Sequence, residues 1–107
     1  MSTLQDRRAP IDFQIVRELV SLIPENWSIA QMDVQRRERH GAGEEFEIEI
    51  SSPEGKGPPV VPSDDIYPLL FALADVFREH GRVWARVSYI VSKAPDQGWK
   101  FKASFSY

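Results

Sequence analysis

The chain has 107 residues, 42% hydrophobic and 27% charged, with a net charge of −3 and no cysteine. One globular domain with its own core fits that length and composition, while disulfides, thiolate catalysis and a disordered chain do not. No apolar run approaches the roughly 18–20 residues that cross a bilayer, and MSTLQDRRAP has no apolar segment of a signal peptide, so the expected location is the cytoplasm.

Taken in order, residues 1–10 read as a flexible lead-in to a single domain spanning 1–107, closed by Ala9-Pro10. Asp12 is placed to cap a first helix running to about Leu22, with Phe13, Val16, Leu19, Val20 and Ile23 on one face. Pro24 ends it. From Trp27 to Arg37 the period changes to two, with Ala30, Met32 and Val34 opposite Gln31, Asp33 and Gln35, which predicts a half-buried strand. A polar turn over 36–44 leads to EFEIEIS, where Phe46, Ile48 and Ile50 alternate with Glu45, Glu47 and Glu49. The two strands are most simply an antiparallel hairpin. The proline-rich stretch that follows cannot be a central strand, although Val60-Val61 could pair briefly on an edge.

Ser63–Gly81 carries the strongest helix pattern. Ser63 or Asp64 is expected to cap it, Pro68 sits in the first turn, and Ile66, Leu69, Leu70, Leu73, Ala74 and Phe77 form one stripe. Gly81 is placed for a left-handed C′ residue. Arg82–Ser92 reads as a third strand whose buried face is open between its two alternating sets. A turn at 94–98 precedes the last strand, in which Trp99, Phe101, Ala103, Phe105 and Tyr107 alternate with Lys100, Lys102, Ser104 and Ser106. The expected fold is therefore α+β, ordered α-β-β-α-β-β, with an antiparallel four-stranded sheet and both helices on one face.

Catalytic signals are sparse. No serine lies in a nucleophile elbow, and His40 and His80 have plain structural readings as a turn residue and a cation near a helix C-terminus. No metal-binding spacing or phosphate loop occurs, so no cofactor, no metal and no enzymatic activity are expected. Glu45, Glu47 and Glu49 lie about 7 Å apart along one strand face, which suits solvation or a basic partner better than acid–base chemistry. The aromatic and lysine alternation at 99–107 puts the lysines opposite the rings, which favours a core strand over a base-stacking platform.

The charge is unevenly placed. Residues 1–43 are neutral, residues 44–75 carry eight acids and one lysine, and residues 76–107 carry six bases and two acids. That dipolar layout argues against general nucleic-acid binding and allows a basic protein partner.

Several landmarks occur together: LIPENWSIA (Leu22–Ala30), the alternating EEFEIEI, DDIYPLLFALADVF (Asp64–Phe77), Trp84 opening the next strand, and the closing GWKFKASFSY. In these the chain resembles the YezG-like immunity-protein family, the antitoxin partners of bacterial polymorphic and LXG-type toxins. The resemblance implies a non-enzymatic inhibitor of a secreted toxin, commonly a nuclease, held by protein–protein contact. A nuclease rim is basic, so the expected partner-binding residues are Glu44, Glu45, Glu47, Glu49, Asp64 and Asp65, with Trp84 as an aromatic anchor. The alternative is a small acidic secretion chaperone or adaptor, which homodimerisation together with binding to an unfolded effector segment would mark. Whether the chain forms a homo-oligomer is open from the sequence.

Overall fold

The computed structural model describes residues 3–39, 43–96 and 98–107. His40 and part of the turn at 94–98 therefore lie outside the described residues. The chain runs α1 (Leu4–Leu22), β1 (Ile29–Arg39), β2 (Gly43–Ser51), α2 (Ile66–Glu79), β3 (Arg86–Lys93) and β4 (Trp99–Ser106), which is the expected α-β-β-α-β-β order. The strands form one antiparallel sheet in the order β2-β1-β3-β4.

α1 begins earlier than expected, so residues 4–10 are helix and not a lead-in. Thr3 accepts a bond from the Asp6 amide while the Asp6 carboxylate reaches back to the Thr3 amide, a capping box that nucleates the first turn. Pro10 lies inside the helix and has no N–H to give the Asp6 carbonyl, and both residues are exposed. The buried stripe is Asp12, Ile15, Val16 and Leu19. Asp12 is thus a core residue and not a cap, and Phe13 is 61% exposed instead of buried. A polar residue on the inward face hid the true phase of the helix.

α2 matches its expected body. Pro68 is its third residue, and Ile66, Leu70, Leu73, Ala74 and Phe77 are buried. Its start differs, because Asp65 occupies the cap position without a side-chain bond and the Ile66 amide bonds the Ser63 backbone carbonyl at 3.3 Å. Its end is as expected. Gly81 has φ of +73°, its amide bonds the Arg78 carbonyl, and the Arg82 amide bonds the Phe77 carbonyl, which closes a Schellman motif.

The β1–β2 hairpin extends further than its polar sequence suggested, with pairing continuing through Arg37↔Glu45 and Arg39↔Gly43. The edge of β2 takes a single further bridge, Ile50↔Val60. In β3 the helix-side face is Val87, Tyr89 and Val91, which settles the face the sequence left open. The strand starts at Arg86, because the preceding Trp84 turns into the core.

Both helices cover one side of the sheet. Ile15, Leu19, Leu70, Leu73 and Phe77 meet Met32, Val34, Ile50, Tyr89 and Val91 in one core. Among the described residues no helix covers the other side of the sheet. No helix among the described residues is long and apolar enough to cross a membrane.

Candidate functional site

Strand alternation sends every second residue to the uncovered face, and register decides which of them meet. Across the sheet, Glu47, Gln35, Arg86 and Ser106 form one row; Glu49, Asp33, Ser88 and Ser104 form the next. These rows, together with Phe46 and Ile48 of β2 and Tyr67 at the start of α2, line a shallow hollow of about 650 Å³. Its β2 side is acidic. Beyond it on β4, Lys100 and Lys102 are exposed.

Within the hollow, Asp33 accepts bonds from Gln31 Nε2 at 3.1 Å and from Ser88 Oγ at 2.8 Å. It also stands directly across the strands from Glu49. Two carboxylates in that relation repel, whereas opposite charges there attract. Glu47 is bridged to Arg37 at 2.9 Å with both side chains about half exposed, so it is tethered but accessible. Glu45 shares the face with Glu47 and Glu49 and is exposed.

No family model matches this chain, and no curated protein matches it either.

The expected binding residues divide into groups. Glu45, Glu47 and Glu49 fall together on the open face. Glu44 does not, because it has the opposite parity and turns to the helix side, where its side chain is 10% exposed. There it is bound by Arg36 Nε at 2.6 Å and by the Arg78 guanidinium. Burial raises the Glu44 pKa, but the two arginines outweigh it and hold the carboxyl below its ordinary value. Glu44 is a structural ion-pair residue. Asp64 and Asp65 are exposed at the start of α2 and neither lines the hollow; Asp65 instead borders the α1–α2 groove beside Gln14 and Arg17. Trp84 is 1% exposed and stacked on Phe46 with ring centroids 5.5 Å apart, so it is a core residue and no surface anchor. Its indole N–H is buried without a hydrogen-bond partner among the described residues.

Asp33, Gln35, Arg86, Ser88, Ser104 and Ser106 were missed as site residues. Their parity was readable in the strand patterns, but the pairing of β1 with β3 was not, and that pairing brings them to the glutamates. The other missed group is buried. Asp12 accepts from the Tyr89 hydroxyl at 2.6 Å and from Arg8 Nε at 2.9 Å. Burial raises the Asp12 pKa despite these donors and, with Asp12 alongside, pushes the Tyr89 phenol up as well. The trio sits inside the α1–sheet interface, where a substrate has no access. His80 Nδ1 lies 3.0 Å from the Val76 carbonyl at the end of α2, a capping position. No group of potential ligands for a metal ion occurs among the described residues.

Proposed function

We propose that this chain is a non-catalytic inhibitor, an immunity protein that binds a basic, secreted bacterial toxin through the open face of its sheet. The observation that carries this reading is the Asp33–Glu49 pair, two carboxylates set opposite each other in an accessible hollow. A lysine or arginine of the partner laid across them would exchange repulsion for attraction. The same acidic strand would speed encounter with a basic surface.

The resemblance to YezG-like immunity proteins points the same way. A toxin that cuts nucleic acid carries a basic rim around its active site, and the β2 side of the hollow, with Glu47 and Glu49, is complementary to it. Inhibition would then be steric and electrostatic, without chemistry by this chain, and would act in the cytoplasm of the producing cell. Glu45, Glu47, Glu49 and Asp33 form the contact in this reading; Glu44, Asp64, Asp65 and Trp84 do not.

The experiment is rescue. The C-terminal domain of whatever protein is encoded immediately upstream is expressed inducibly in bacteria, with and without the chain. Restored growth and co-purification of a complex are expected, and Glu47→Lys with Glu49→Lys should abolish both while the fold persists. A toxic neighbour that this chain neither rescues nor binds sinks the proposal. Capture of an unfolded segment of the neighbour, without protection, would support a secretion chaperone instead.

A further inference from the structure

The two edges of the sheet are finished differently. On β2, the Val60 amide bonds the Ile50 carbonyl at 2.9 Å, the neighbouring Pro58, Pro59 and Pro62 cannot extend the ladder, and Phe71 packs edge-on against Phe46. Among the described residues β4 has no such bridge and no proline; its exposed charges are Lys100 and Lys102, on the open face. The carbonyls of Gly98 and Ser106 accept from the Ala94 and Ala85 amides at 2.8 and 2.7 Å. Even-numbered residues of this strand thus turn their backbone groups toward β3. Those of Trp99, Phe101, Ala103 and Phe105 point outward and bond no backbone group among the described residues.

The helix-side surface beside this edge is aromatic. Phe101 and Phe105 are only half-buried, whereas their β3 partners Val91 and Val87 are buried. Phe13, largely exposed, stands edge-on to Phe101 with centroids 5.8 Å apart, and Tyr107 is 65% exposed. An open ladder edge beside exposed rings is a surface built for another strand.

We propose that β4 pairs antiparallel with β4 of a second copy of this chain, about a two-fold axis at Ala103, making one continuous eight-stranded sheet. The strand is complementary to itself, as an isologous interface requires. Centred on Ala103, the register sets Phe101 against Phe105 and Trp99 against Tyr107 on the helix side. On the open side it sets Lys102 against Ser104 and Lys100 against Ser106, so no two ammonium groups oppose each other. A shift to Lys102 as centre would put that lysine against its own copy and lose the Trp99–Tyr107 pair. The Phe101–Phe105 and Trp99–Tyr107 pairs in the favoured register, with Ala103 at the axis, use the outward-pointing backbone groups, while the Lys–Ser pairs keep theirs toward β3. The axis stands perpendicular to the sheet, so both helix layers stay on one side and both acidic β2 strands lie at the far edges. The dimer sets lysines of the second copy beside Ser104 and Ser106 at the margin of the hollow but leaves the acidic β2 side open. A monomeric chain would therefore overturn the dimer without touching the toxin reading, and dimerisation without capture of an unfolded segment would not mark a chaperone.

The test is the mass of the full chain in solution, by sedimentation equilibrium over a range of concentrations. Twice the mass of one chain is expected. Ala103→Pro removes an amide that points outward and leaves the β3 ladder intact; it should give a folded monomer by circular dichroism. Ser104 is exposed and makes no core contact, which keeps the test informative if the proline variant fails to fold. Ser104→Glu faces Lys102 twice in the dimer and should tighten it by roughly 2- to 30-fold, whereas Ser104→Lys should weaken it by a similar factor. A single-chain mass at every concentration overturns the proposal. So does a dimer indifferent to both Ser104 substitutions, since that places the contact elsewhere.

Discussion

The Tyr89 hydroxyl donates a 2.6 Å hydrogen bond to Asp12, 77 residues earlier in the chain, and so ties α1 to the middle of the sheet. Asp12 is 3% exposed, and Arg8 one turn before it supplies the second donor. A buried carboxylate is tolerated there because both of its oxygens are satisfied.

Removing one donor should show that dependence. Tyr89→Phe keeps the ring and deletes the hydroxyl, leaving an under-satisfied buried carboxylate. Urea unfolding at neutral pH should show a loss of about 1–3 kcal/mol. The pH dependence is set by the raised pKa of Asp12. A raised carboxyl binds its proton more tightly in the folded state, so its contribution is most favourable below the unfolded value of 3.8 and declines as pH rises through the folded value. Asp12→Asn removes that titration while keeping an acceptor for Tyr89. Its stability profile should lack the decline.

Glu44 should behave with the opposite sign. Its pKa is held down by Arg78 and Arg36 against the effect of burial, so its contribution is present above the unfolded value of 4.5 and disappears as pH falls through the folded value. Glu44→Gln leaves the nearly buried Arg36 guanidinium without its closest partner and should cost about 1–3 kcal/mol at neutral pH. Unfolding curves of variant and parent should converge in acid. A difference that persists undiminished there would show that the ion pairs are not its source.

Trp84 should matter to stability and not to partner binding. Trp84→Ala empties a buried site against Phe46 and should cost about 3–5 kcal/mol. Trp84→Phe deletes the buried N–H that lacks a partner and should cost much less. Because the ring never reaches the surface, the phenylalanine variant should protect against the toxin as well as the parent in the rescue assay. Lost protection by a stably folded Trp84→Phe protein would return this residue to the interface.

Charge reversal separates the two acidic surfaces. Glu49→Lys turns the like-charge pair with Asp33 into an attractive one, so it should leave stability unchanged or raise it by about 0.2–1 kcal/mol while weakening the complex. Asp64→Lys with Asp65→Lys changes more formal charge but lies outside the hollow, and should leave affinity unchanged in a titration. Equal losses from both would mean that net charge, and not the open face, drives binding.

Much of the fold was legible. The period-two pattern of EFEIEIS and the stripe of α2 with its Gly81 terminus describe elements whose local preference and tertiary role agree. The errors fall where they disagree. Asp12 is a polar residue on a buried helical face, and Arg36 and Glu44 are charged residues on the helix side of a hairpin that the sequence read as a loop. In each case the cost of burying charge is offset by a partner remote in sequence, such as Tyr89 or Arg78, which no local pattern reveals.

The sequence by itself determined the class of this protein, the phase of β2 and β4, the identity of the central helix, and the exposure of Glu45, Glu47 and Glu49, because alternation and helical periodicity are properties of neighbouring residues. Only the tertiary structure decided that β1 lies against β3, that Asp33 faces Glu49 across a hollow shared with Arg86, that Trp84 and Glu44 are withdrawn from solvent, and that β4 is a bare edge. Those are relations between strands. They depend on which faces the helices cover and which backbone groups remain unpaired, and a single segment carries neither.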